Sequence, residues 1–214
     1  MAEFGDVRVD AEHPGPSGTI GRAMKTNTAL VLIDVQRGLI NGFEDDWASV
    51  LPTIAELVDR ARHARILVVY VQHDGGAGHP LEVGSAGWQI HPSVAPTDAD
   101  PIVHKRWSDA FVGTELEREL ESRDIGHLVV TGAQTEYCVD ATVRRAASLG
   151  YDVTLVTDGH TTSSSRLLSR EQIIAHHNRT LPGLALVGAR IAARSAVEVL
   201  TSSTLAVATV APPA

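Results

Sequence analysis

Short, wholly apolar runs alternate along this chain with longer stretches in which apolar positions recur every three or four residues. Ala29-Leu30-Val31-Leu32-Ile33 has the pattern of a strand covered on both faces. Over Pro52 to Ala64, the spacing of Ile54, Leu57, Val58 and Ala61 predicts a helix with Pro52 in its first turn. Ile66 to Val71 predicts a second buried strand and Ile102-Val103-His104 a short third. The glycine- and proline-rich connection between them, residues 73–100, is of a length that usually carries function.

The second half is more regular. Thr114-x-x-Glu117 has the form of a capping box for a helix carrying Leu116 and Leu120. His127 to Thr131 reads as a strand, Glu136 to Leu149 as a helix closed by Gly150, and Val153 to Val156 as another strand. Ser169-x-x-Gln172 opens a helix running through Arg179, and a last strand falls near Arg190 to Arg194 or near Leu184 to Val187. This alternation predicts an α/β fold, a three-layer α/β/α sandwich with a central, mostly parallel sheet of Rossmann-like topology.

Composition narrows the possibilities. The chain has 214 residues, expected as a flexible N-terminal arm over 1–26, one domain over 27–204 and a loose tail over 205–214. Lys and Arg number 18 against 26 Asp and Glu, a net charge of −8, which argues against nucleic acid as the main partner. No run of about 18 apolar residues could span a bilayer, and no basic-then-apolar leader is present, so a cytoplasmic protein is expected. The single cysteine rules out an internal disulfide and a cysteine-rich zinc module.

In such sheets chemistry lies at the carboxyl ends of the strands. There the sequence places Asp34-Val35-Gln36, Gln72-His73-Asp74, His104-Lys105-Arg106, the stretch Thr131 to Thr135 leading to Cys138, and Thr157-Asp158-Gly159-His160. Taken singly, the cysteine reads as a small core hydrophobe, each Asp as a helix cap and Lys105 as surface. Together they offer an acid, a base and a thiol. A helix N-terminus and a nearby cation lower a thiol pKa by one to several units from about 8.5, so Cys138 is expected as thiolate.

Asp34-x-Gln36, Lys105 and Gly132-x-x-Thr135-x-x-Cys138-Val139, each after a strand and in that order, resemble the isochorismatase-like cysteine hydrolases. That superfamily includes nicotinamidases, N-carbamoylsarcosine amidohydrolases, streptothricin hydrolase and isochorismatases. The resemblance covers roughly residues 27–200. It implies a catalytic triad with Cys138 as nucleophile, Asp34 as general base and Lys105 holding the pair. It also implies a cis peptide at Ala133-Gln134, turning the Gln134 N–H toward an oxyanion hole shared with the Cys138 N–H. The implied reaction is hydrolysis of a small-molecule amide or lactam through a thioester, without a cofactor, in a homodimer or homotetramer. Gly84-Ser85-x-Gly87-Trp88-x-Ile90-His91-Pro92, Thr135-Glu136-Tyr137-Cys138 and Ile174-Ala175-His176-His177-Asn178 look most like members near streptothricin hydrolase.

Two other functions compete. Isochorismatase-type vinyl ether cleavage proceeds in members that lack the thiol, so Cys138 counts against it. A non-catalytic binding or redox-sensing protein could use the same thiol. For a pocket wall, Trp88 and Trp107 are candidates, followed by Tyr137, Phe43, Gln36 and Glu136, while Trp47 reads as local loop packing. No metal is expected. His73, Asp74, His79 and His91 lack a recognised ligand spacing, and the Asp-x-His pair of metal-bearing nicotinamidases is missing because Val71 stands two before His73. Gly75-Gly76-Ala77-Gly78 reads as a substrate lid rather than a P-loop, Thr161 to Ser165 as a polar loop, and His176-His177 as surface or a subunit contact.

Overall fold

The computed structural model describes residues 27–184 and 188–200. The expected arm and tail lie outside the described residues, as do residues 185–187 of one of the two segments considered for the last strand. Six strands form one sheet: β1 (Asn27–Ile33), β2 (Leu67–His73), β3 (Ile102–Lys105), β4 (Ile125–Ala133), β5 (Asp152–Thr161) and β6 (Ile191–Arg194). Their order is β3-β2-β1-β4-β5-β6, and every pairing is parallel. The α/β sandwich expected from the alternation is thus present, with a wholly parallel sheet.

Alternate residues of β1 serve opposite cores. Leu30 and Leu32 join Val68, Tyr70 and Val129 beneath α3 (Val50–His63), which supplies Ile54, Leu57, Val58 and Ala61. Ala29, Val31 and Ile33 join Val69, Val71, Leu128 and Val130 on the other face. There they meet α4 (Leu116–Glu121) and α5 (Asp140–Ser148). Burial on both faces is why these strands are unbroken apolar runs. Two short helices, α1 (Arg37–Ile40) and α2 (Glu44–Trp47), follow β1, and α6 (Arg170–Thr180) precedes β6. Among the described residues no helix is long and apolar enough to cross a membrane.

Local signals held at some ends and not at others. Ser169 and Gln172 form the reciprocal capping box that opens α6, and Gly150 follows α5 at φ +89°. Thr114 and Glu117 form no capping box. α4 starts at Leu116, and the Thr114 hydroxyl instead accepts from the Leu116 N–H and donates to the Ala110 carbonyl. The helix expected from Glu136 is divided into a π-helical turn, Thr135–Val139, and α5.

Residues 87–91 of the connection after β2 are anchored. They are laced to the segment after β1 by Arg37 N–H to Gln89 O, Gly38 N–H to Gly87 O and His91 N–H to Val35 O. Gly38 allows this approach, since a Cβ there would lie 2.5 Å from the Pro80 carbonyl oxygen.

Candidate active site

The strand order reverses between β1 and β4, the place where a parallel sheet opens a crevice beyond its carboxyl ends. Ile33 pairs with Gly132 on one side and Val71 on the other, so three strands finish level. Gly132 has φ +117°, and a Cβ on it would lie 2.0 Å from the Ile33 carbonyl oxygen. Only glycine lets β4 leave the sheet this close to β1. Asp34 turns the chain at φ +52°, a left-handed conformation that short acidic side chains tolerate better than most. Its N–H donates to the Val71 carbonyl.

These turns bring Asp34, Lys105 and Cys138 into contact. Lys105 Nζ lies 2.8 Å from Asp34 Oδ2 and 3.1 Å from Cys138 Sγ. It also donates to the Trp107 carbonyl at 3.1 Å and approaches His73 Nδ1 at 3.3 Å. Asp34 and Lys105 are each only 1% exposed, whereas Cys138 is partly open to solvent. The Ala133-Gln134 peptide is cis, and the π-helical turn that follows it carries the thiol.

The electrostatics differ from the expected resting thiolate. Burial, with the Asp34 charge added, pushes the Cys138 thiol up to about 12, and Lys105 only partly opposes this. The sulfur therefore rests as a thiol. Burial also raises Asp34 above its ordinary value, with Lys105 pulling the other way. Burial acts to lower Lys105, but Asp34 and Cys138 outweigh it and hold the ammonium above the ordinary lysine value. His73 is pushed down by burial and then by Lys105, so it faces the ammonium as a neutral acceptor. The cluster at rest is a buried carboxylate–ammonium pair beside a neutral thiol.

Beside Ala133 and Gln134, a small open cleft is lined by Leu39, Phe43, Trp47, Thr161, Thr162 and Ser163. No ionisable side chain belongs to that lining. The nearby acid Asp46 is occupied, accepting from Ser163 Oγ at 2.7 Å and pairing with Arg170 at 3.3 Å.

Of the proposed wall residues, Phe43 lines the cleft, and Gln36, Trp88, Trp107 and Tyr137 lie outside its lining. Gln36 is fully buried as a strut: its amide accepts from the His73 N–H and donates to the carbonyls of His73 and Trp88. The Trp88 indole donates to Asp74 and stacks on His104. Trp107 contributes its carbonyl to Lys105 while the residue is 64% exposed, and Tyr137 is 56% exposed.

Trp47 packs locally, donating to the Leu39 carbonyl, and also lines the cleft. The stretch from Thr161 is not simply a polar loop, because Thr161 and Thr162 are buried and Thr161 donates to the Asp46 carbonyl. His177 is largely covered, held by the Ile173 carbonyl and facing Asp140.

Of the four residues weighed for a metal, His73 and His79 have ring centroids 5.5 Å apart, and each of the four also has a partner outside the set. His73 meets Lys105, Asp74 meets Trp88 and His104, His79 accepts from the Leu81 N–H, and His91 accepts from the Ser93 N–H. Among the described residues no group of three or more His, Cys, Asp or Glu side chains is placed to hold a metal ion.

Comparison with known proteins gives the family. The chain is 38% identical to a streptothricin hydrolase of Streptomyces noursei over 63% of its own length and 49% of that protein. A second streptothricin hydrolase of that organism is 36% identical over 65% of this chain and 56% of the relative. The chain thus spans about half the length of these two relatives. An isochorismatase-family structure from Burkholderia xenovorans superposes with a TM-score of 0.74 at 31% identity, over 86% of this chain and 90% of that one. The isochorismatase domain itself matches residues 28–178, and the chain belongs to the isochorismatase family.

Proposed function

We propose that this protein is a hydrolase of carbon–nitrogen bonds that opens a small amide or lactam with Cys138 as nucleophile. The observation that carries the reading is the buried ammonium of Lys105, 2.8 Å from a carboxylate and 3.1 Å from the thiol sulfur. A thiol held near 12 needs a base at the moment of attack. Asp34 fits that role, and burial makes it a stronger base than an exposed carboxylate. Lys105 keeps Asp34 ionised at rest and receives the sulfur's negative charge as it develops.

In this reading Sγ attacks the amide carbon as its proton passes to Asp34, giving a tetrahedral oxyanion. The N–H groups of Gln134 and Cys138 stabilise that oxygen. Asp34 then returns the proton to the leaving nitrogen, the C–N bond breaks and a thioester remains. Water, deprotonated by Asp34, attacks the thioester, releases the acid and restores the thiol.

The cleft beside Gln134, whose lining does not itself include Cys138, supports a choice of substrate. Phe43, Trp47 and Leu39 supply apolar wall, and Thr161, Thr162 and Ser163 supply neutral polar atoms. A small uncharged group suits it best. The similarity to two streptothricin hydrolases supports a streptothricin-type lactam as one candidate, with the remainder of that molecule outside the cleft. Vinyl ether cleavage would leave the thiol without a task.

The test is turnover of an amide panel that includes a streptothricin, with wild type compared to Cys138→Ser. Hydrolysis by wild type alone supports the reading, and equal turnover by both refutes it.

A further inference from the structure

The turn that carries Cys138 is tied down at its first residue by a buried chain of side chains for which the steps above have no use. Thr135 opens the π-helical turn and is fully buried. Its hydroxyl lies 2.8 Å from Nδ1 of His160, a residue of β5 that is 1% exposed. Nε2 of that ring lies 2.9 Å from Oδ1 of Asn178 on α6, and the Asn178 amide nitrogen donates to the Thr157 carbonyl at 3.1 Å.

His160 reaches this position through an irregularity in the sheet. Val130 pairs with Leu155, but two residues later Gly132 pairs with His160. β5 thus inserts three additional residues there, which lifts His160 level with the glycine that starts the nucleophile turn.

The direction of each hydrogen bond follows from the last one. A carbonyl only accepts, so the Asn178 –NH2 faces Thr157 and its oxygen faces His160. Nε2 must then carry the ring proton. Burial holds the imidazole down at about 4, with His177 also lowering it and Asn178 and Asp158 acting in the other direction. The neutral ring leaves Nδ1 as a bare acceptor, and the Thr135 hydroxyl donates to it. One proton order satisfies every group, so the chain is a fixed strut between α6, β5 and the turn.

We propose that His160 is a positioning residue that anchors the Cys138 turn through Thr135 and Asn178 and keeps the sulfur in the buried contact with Lys105 and Asp34. The proposal rests on the reading of Cys138 as nucleophile only for its consequence in turnover. Its physical content is the placement of Sγ.

Cys138 is the sole cysteine, so carbamidomethylation by iodoacetamide followed by intact mass reports this sulfur alone. The experiment measures the alkylation rate against pH for the wild type and four variants, with melting curves to confirm folding. Thr135→Val removes the donor, and His160→Gln keeps the Asn178 contact but removes the acceptor for Thr135. Thr135→Ser keeps the whole chain of contacts, and His160→Asn keeps an acceptor for Thr135 but is too short to reach Asn178.

Sulfur released to solvent titrates near the ordinary thiol value of about 8.5, so the apparent midpoint of Thr135→Val and His160→Gln falls by at least about one pH unit. Thr135→Ser stays with the wild type, and His160→Asn, which loses Asn178, moves less than His160→Gln. If Thr135→Val folds and its profile overlays the wild type, the proposal is overturned, and this near-isosteric variant decides the matter should His160→Gln fail to fold. Failure of the nucleophile reading looks different: Cys138→Ser would retain turnover while the alkylation midpoints still moved.

Discussion

Lys105 and Cys138 stand 33 positions apart on separate strand ends, yet Nζ lies 3.1 Å from Sγ, closer than to the imidazole of His73 at 3.3 Å. The same ammonium holds Asp34 at 2.8 Å. Acid, base and sulfur therefore share one buried cation, and the consequences of disturbing it can be separated.

Replacing Lys105 by Met leaves the Asp34 carboxylate buried without a partner. The expected loss is about 3–5 kcal/mol of folding stability, the cost of an uncompensated internal charge. Asp34→Asn added to Lys105→Met removes that charge and recovers more than half of the loss, while activity stays absent. Urea denaturation of the single and double variants checks this, and a double variant no more stable than Lys105→Met would contradict it.

Gly132→Ala forces a methyl group against the Ile33 carbonyl oxygen at 2.0 Å and an L-residue into φ +117°. A loss of more than about 3 kcal/mol is expected, because neither the clash nor the backbone conformation can relax without parting β1 from β4. Gly183, with open space around its Cβ direction, serves as the control and should cost little when replaced by Ala. Melting temperatures of the two variants test the contrast.

Acid sensitivity follows from His160. The unfolded chain takes up a proton on this residue below about 6.5, whereas the folded protein does so only near 4. Stability is therefore lost as pH falls from about 6.5 to about 4, by about 3 kcal/mol from this group alone. His160→Asn, which cannot titrate there, should show a shallower acid decline in urea unfolding between those limits. Parallel curves would mean the ring is not held neutral.

Asp34 must be ionised to accept the thiol proton. Because burial raises its pKa, the acid limb of kcat/KM should lie above the ordinary aspartate value of about 3.9. A pH–rate profile on a substrate of neutral charge measures it directly. A limb at or below the ordinary value would indicate a different base.

The apolar runs of β1, β2 and β4 identified the sheet before any coordinates, because strands buried on both faces leave little choice of residue. The order of Asp34, Lys105 and Cys138 after successive strands likewise marked the three groups that meet. The charge state of the sulfur was not legible. A nearby cation and a helix start argue for thiolate, but burial and the Asp34 charge decide otherwise, and both depend on packing.

The link joining Thr135, His160 and Asn178 escaped for a related reason. Their link depends on the residues inserted in β5 opposite Gly132, and no periodicity announces such a bulge. Trp88 and Trp107, candidates for pocket wall because aromatic residues in rim loops look like it, lie outside the lining of the cleft beside Gln134. One is instead stacked on His104, and the other presents its carbonyl to Lys105. Thr161 and Thr162 have the composition of a loop, yet both are buried where β5 meets the turn after it.

The most direct test of the account is intact-mass analysis of the protein quenched in acid during turnover of a hydrolysed amide. It predicts a population heavier by the acyl part of the substrate, mapped by peptide digestion to Cys138 and missing from Cys138→Ser. Undiminished turnover by Cys138→Ser, with no acyl group on any residue, would contradict it.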